Sequence, residues 1–347
     1  MRTGNLPVVG AVLVLAYAAS AATQQDFEES YQAYRDAVAA QQVGPALEHA
    51  AEARRLGEEL FADNPSRIAV LVFNHGVALA KARRGEEAFP VLTEARTLVA
   101  EAFGEDAEQV MQIDIALLDS VPRSRAARYY RRTLKDALTR HAEDSEFIAD
   151  LKLHGAVRMW DKDTVRTLGQ AAETYRATGN RRSYGIAQMW MGRKHFGAKD
   201  YRRAVAPFTR VIDTFAADDP YVLTARAHLV EAFEKLGQSD RATEHCVAIG
   251  RTRPWTGTAD YQPLFKMPPT YPQSALRNSE EGFVLLAMTV DEMGFVRNPE
   301  VVDSKGGAIF HEPALEAVKE FRYAPKFVDG EPVEVTGVLN RIIFEMR

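Results

Sequence analysis

Phe283-Val284-Leu285-Leu286-Ala287-Met288-Thr289-Val290, then Asp291-Glu292-Met293-Gly294, then Phe295-Val296-Arg297-Asn298-Pro299-Glu300-Val301-Val302-Asp303-Ser304 is the stretch that decides how the last part of the chain folds. The first run is apolar and rich in strand-favouring residues. The next four carry turn chemistry, and the third run returns as a second strand, so the spacing predicts a hairpin. Gly294 supplies the positive φ that such a turn needs. Downstream, residues 310–321 place Phe310, Ala314, Leu315, Ala317, Val318 and Phe321 on one helical face, and Tyr323-Ala324-Pro325 stops that helix. Asp329-Gly330 turns the chain again. Residues 333–346 read as a long last strand, with Val335, Gly337, Leu339, Arg341 and Ile343 on one face and Thr336, Val338, Asn340, Ile342 and Phe344 on the other. The predicted order is strand, strand, helix, strand, which is a small α+β domain over residues 271–347.

Working back from this hairpin, five of the chain's 16 prolines fall between residues 253 and 272, where they bar a helix and mark a domain boundary. Residues 253–270 are therefore expected to be a Pro-rich linker. Before it, over residues 23–252, the period is helical throughout, with alanine-rich amphipathic stretches divided by Gly, Asp, Asn and Pro. Phe73, Gly76, Leu79 and Ala80 on one helix meet Ala88, Leu92 and Ala95 on the next, with Arg84-Gly85 at the turn. The same skeleton returns at Met191-Gly192, Ala204, Phe208 and Val211, and again at Leu229, Phe233, Ala242, Cys246 and Ile249. Small residues let the two helices of a hairpin approach, and the large residue fills the groove between hairpins. The spacings predict four or five hairpins of an α-helical repeat solenoid, with residues 129–177 matching the skeleton poorly.

This skeleton resembles the tetratricopeptide repeat, at a pitch somewhat longer than that family's 34 residues or so. The C-terminal resemblance is more specific. Tyr271-Pro272-x-x-Ala275, Glu281-Gly282-x-Val284, Val290-Asp291-x-x-Gly294-x-Val296, Val301-Val302-Asp303-Ser304, Phe310 with Ala314-Leu315-x-Ala317-Val318, Phe321-Arg322-Tyr323-x-Pro325 and Phe344 occur in order over roughly residues 263–347. Together they resemble the TonB C-terminal domain family. That resemblance implies binding by β-augmentation, in which an exposed last strand pairs with an extended segment of an outer-membrane transporter. The corresponding strand is Gly337, Val338, Leu339, Asn340, Arg341, Ile342, Ile343 and Phe344, and Tyr271, Pro272, Ala275 and Leu276 match a region the family uses near its transporter. Arg322 reads as a solvated or strand-capping arginine.

Export is the expected fate. Met1-Arg2, the apolar run from Leu6 to Tyr17 and the small residues Ala19-Ser20-Ala21 read as a signal peptide over residues 1–22, cleaved after Ala21 or Ala22 into the periplasm. An uncleaved inner-membrane anchor is the alternative, although the run is shorter than the roughly 20 residues that span a bilayer comfortably. The family's energy transducers carry a membrane helix and a Pro-rich spacer where this chain has a short run and helical repeats. Whether the chain couples to a proton-driven motor is therefore left open by the sequence.

Composition excludes several classes. The chain's 347 residues, 46% hydrophobic and 26% charged, suit soluble globular domains, and a net charge of -5 argues against nucleic acid as a main partner. Arg125, Arg128, Arg131, Arg132 and Lys135 stand at helical spacing and read as a solvated face. One cysteine, Cys246, at an apolar helix position, reads as a buried inert thiol. The eight histidines form no H-E-x-x-H pair, and there is no G-x-S-x-G turn or phosphate-cradling loop, so no catalytic, cofactor-binding or metal-binding residue and no small-molecule substrate is expected. The expected partners are a TonB-dependent transporter or another envelope protein on the last strand, and a second protein on the repeats. A homodimer through the C-terminal domain, or a scaffold whose C-terminal domain only docks, are the competing readings.

Overall fold

The computed structural model describes residues 23–252 and 261–346, so the expected signal peptide and the first part of the expected linker lie outside the described residues. By compactness the chain divides into two units, residues 1–125 and 126–347.

The first unit is helical among its described residues: α1 (Gln24–Ala39), α2 (Val43–Leu60), α3 (Pro65–Lys81), α4 (Gly85–Phe103) and α5 (Glu108–Ser120). Thr23 and Asp26 cap the start of α1 reciprocally, and Asn64 caps α3 with Pro65 in its first turn. The helices α1 and α2 pack as one hairpin, and α3 and α4 as the next. Asp114 on α5 is buried and accepts from Arg96 Nε on α4 at 2.7 Å, which compensates the desolvated carboxylate.

In the second unit α6 (Arg123–Ala137), which crosses the division, is followed by α7 (Glu146–Met159), α8 (Thr164–Thr178), α9 (Arg181–Gly197), α10 (Tyr201–Thr214), α11 (Pro220–Lys235) and α12 (Ser239–Thr252). The α6 cations named above are all exposed, opposite buried Ala126 and Tyr130. Consecutive pairs α7/α8, α9/α10 and α11/α12 form hairpins. The skeleton's small residues have the expected cause: a Cβ on Gly192 would stand 2.6 Å from Phe208 Cε1, closer than packed carbons come. Residues 129–177, where the skeleton is weak, still contain a hairpin, joined by Tyr175 Oη donating to Asp150 Oδ1 at 2.6 Å.

The C-terminal domain contains α13 (Gln273–Arg277), β1 (Gly282–Val290), β2 (Val296–Lys305), a 3-10 turn at Ala308–Phe310, α14 (His311–Lys319), β3 (Lys326–Val328), β4 (Glu331–Val333) and β5 (Val335–Phe344). The sheet runs in the order β2-β1-β5, antiparallel throughout, and β3 and β4 form a separate hairpin. Val284, Leu286, Met288 and Val290 alternate into a core with Ala314, Val318, Phe310, Phe321, Val338, Ile342 and Phe344. The strand, strand, helix, strand order holds for β1, β2, α14 and β5, with two small additions. Asp329-Gly330 turns the chain within a hairpin of two three-residue strands, too short to show a period, and α13 is a single turn and a half.

Candidate partner-binding edge

Among the described residues β5 has one neighbour, β1, and its other edge is open. The pairing is unbroken from Gly282 opposite Phe344 to Met288 opposite Val338, and then shifts. Gly337, with φ +70°, occupies that shift, so it bends the strand rather than joining the regular ladder. Of the eight residues expected to meet a partner, 338–344 therefore form the usable edge.

Side-chain access divides these seven. Val338, Asn340, Ile342 and Phe344 are buried beneath the sheet, so a partner strand could reach only their backbone. Leu339 and Ile343 are 58% and 55% exposed, and Arg341 between them is exposed with its guanidinium 4.4 Å above the Phe283 ring. Asn340 Nδ2 donates to Tyr323 Oη at 3.3 Å, while its Oδ1 is buried without a partner among the described residues. Burial pushes the Tyr323 hydroxyl up to about 12.

The second group of expected contact residues is less available. Ala275 has no exposed surface and belongs to the core, so its side chain cannot touch a partner. Tyr271 packs edge-on against Phe310 and Phe344, and its hydroxyl donates to the Glu280 carbonyl at 2.7 Å. Pro272 precedes α13, and Leu276 is exposed.

Arg322 departs from its expected role. It is 2% exposed, and its guanidinium donates to Glu234 Oε1 on α11 at 2.7 Å and to Thr243 Oγ1 on α12 at 2.6 Å, while lying 3.6 Å from the Phe295 ring centroid. Its backbone bridges Phe265 on one side and Phe295 on the other. The C-terminal domain is thereby fixed to the last helical hairpin. Gly250 on α12 makes this approach feasible, because a Cβ there would collide with the Pro325 carbonyl. Residues 261–270, expected to be linker, contribute as well: Phe265 is buried among Leu229, Phe233 and Cys246 of the hairpin core, and the Tyr261 hydroxyl donates to the Ala324 carbonyl. Burial in that core pushes the Cys246 thiol up to about 12, as suits an inert packing residue.

Among the described residues no group of three or more His, Cys, Asp or Glu side chains could hold a metal ion, and no helix is long and apolar enough to cross a membrane.

Comparison with known proteins locates the resemblance. Residues 267–346 match the family model described as Gram-negative bacterial TonB protein C-terminal. Protein TonB of Vibrio cholerae serotype O1 is 32% identical over 65 residues, 19% of this chain and 27% of that relative, so the chain aligns with about a quarter of the relative's length. Among solved structures, the TonB2 protein from Vibrio anguillarum is 32% identical over 27% of this chain and 91% of its own, with a TM-score of 0.22. BtubC from P. vanneervenii is 14% identical over 68% of this chain and 96% of its own, with a TM-score of 0.48. The C-terminal domain is of the TonB C-terminal type, and the helical region before it is a succession of helical hairpins.

Proposed function

We propose that this protein is an exported, periplasmic, TonB-like envelope protein that binds an extended segment of another envelope protein by adding it as a strand to β5. One observation carries the reading: β5 presents a regular, unguarded edge over residues 338–344, flanked by exposed Leu339 and Ile343. Following the resemblance, the partner is an outer-membrane TonB-dependent transporter, and the interaction supports transport across the envelope. The repeats hold a second protein partner.

In this reading the protein acts by binding. The 2.9 Å contact between Ser304 Oγ and His311 Nε2 ties the end of β2 to the start of α14. A second reading, a scaffold without energy transduction, draws support from Arg322. Its buried contacts fix the domain to α11 and α12 instead of leaving it at the end of a long reach.

The test is affinity capture from an envelope extract with the full-length chain and with Leu339→Lys/Ile343→Lys, which sets two lysines along the edge. Wild type is expected to recover an outer-membrane protein that the variant loses. Equal recovery by both, or recovery of no envelope protein by wild type, would reject the edge as the binding site. Mass spectrometry of the mature N-terminus separates a soluble periplasmic protein, starting near Ala22 or Thr23, from an anchored one.

A further inference from the structure

From the outer face of the β5 edge we infer the side-chain pattern of its occupant: an extended segment reading apolar, any, acidic, any, apolar, with the acidic residue opposite Arg341. The inference rests on the strand-addition reading above and specifies its partner.

Residues directly across two paired strands share a face, with Cβ atoms about 4.5–5.5 Å apart. A strand added to β5 would therefore place every second side chain beside Leu339, Arg341 and Ile343. On the other side of β5 these three lie opposite Ala287, Leu285 and Phe283 of β1, which are partly buried apolar residues. The outer row is thus apolar at both ends with one cation in the middle. Arg341 makes no ion pair among the described residues; its guanidinium rests on the Phe283 ring of β1 at 4.4 Å, on the side of β5 away from the open edge, and its exposed side chain is long enough to swing to a carboxylate across that edge. Asp303, the acidic residue that shares this row, pairs with Leu285 on β2 and is two strands away, about 10 Å at ordinary strand spacing. An exposed arginine without an ion-pair partner among the described residues, set between two exposed apolar residues, is complementary to a carboxylate between two apolar side chains. The pattern is the same read in either direction, so it holds for a partner strand of either polarity.

Charge also argues against a second copy of this chain as occupant. Antiparallel self-pairing that matches Leu339 with Ile343 would set Arg341 opposite Arg341, and like charges directly opposite destabilise a strand pair.

The experiment is selection of displayed, fully randomised extended segments against the full-length protein and against Arg341→Glu, with every recovered binder retested on Leu339→Lys/Ile343→Lys. Edge-dependent binders of wild type are expected to be enriched in Asp or Glu flanked two positions away by apolar residues. Arg341→Glu should weaken them about two- to fivefold and select Lys or Arg at that position instead. Edge-dependent binders without acidic preference, or with a preference that Arg341→Glu does not change, overturn the pattern while leaving strand addition in place. Absence of any binder that depends on Leu339 and Ile343 overturns strand addition and the pattern with it.

Discussion

The two outer strands of the C-terminal sheet flank the same central strand and treat their open edges in opposite ways. On β2 the ladder with β1 shifts twice, between Leu285 and Leu286 and between Ala287 and Thr289; Pro299 removes a backbone donor and Asn298 adopts φ 47°. These are the devices by which proteins deny an edge to other chains. β5 has none of them between residues 338 and 344. A sheet that guards one edge and leaves the other regular and apolar has an orientation, and the guarded strand is the one nearer the attachment to the repeats, through Phe295 beside Arg322.

The largest effect expected tests whether attachment and edge are separate. Arg322→Ala strands the Glu234 carboxylate, 11% exposed, without its cation, and should cost about 3–5 kcal/mol in denaturant unfolding of the second unit. Arg322→Met combined with Glu234→Leu, which removes both charges, should recover most of that loss. If the division between the strands is real, the folded double variant keeps edge binding within about twofold of wild type; loss of binding in a folded variant would show that β5 depends on the docking contacts.

Acid should act on the attachment before it acts on the edge. Burial, with Arg226 and Arg241 nearby, lowers His245 on α12 to about 4, and its ring stacks on Phe233. The unfolded chain then holds the proton more tightly than the folded one. Stability from this group is present above about pH 6.5 and is lost as pH falls through 4, a difference of about 2–3 kcal/mol. Unfolding measured between pH 7 and 4 should show this slope, and His245→Phe should flatten it; a slope unchanged in His245→Phe would assign the effect elsewhere.

The contrast between the strands was only partly legible in the sequence. The β1–β2 turn, the apolar face of α14 and the alternation in β5 follow periods of two and 3.6 that local sequence carries. What sequence spacing could not show is which alternate set of β5 faces the core, because α14 and Phe310 decide that from elsewhere in the domain. Nor could it show the role of Arg322: its partners Glu234 and Thr243 lie 88 and 79 residues away, and Arg322 alone resembles any solvated arginine. The prolines that mark residues 253–270 as linker conceal that Phe265 is an anchor, since a single buried aromatic leaves no periodic signal. For the same reason compactness divides the chain at residue 125 and not at the proline-rich segment: Phe265, Gly250 and Arg322 join the two sides of that segment.

The smallest effect expected compares one left-handed residue on each outer strand. Gly337 on β5 has φ +70° and a Cβ there would meet nothing within 4 Å, so Gly337→Ala is resisted by backbone strain alone. That strain is about 1–2 kcal/mol, and removing glycine also narrows the unfolded ensemble, which returns about 0.4–1 kcal/mol. The net cost should be about 1 kcal/mol or less. Asn298 on β2 holds φ 47° with a residue that tolerates this region, so Asn298→Gly relieves little strain while widening the unfolded ensemble, and the two terms should nearly cancel. Unfolding of the two variants side by side separates them, and edge binding should be unchanged in both. A large loss of binding in Gly337→Ala would mean that the bend at Gly337, and not only the regular run beyond it, shapes the edge that a partner strand meets.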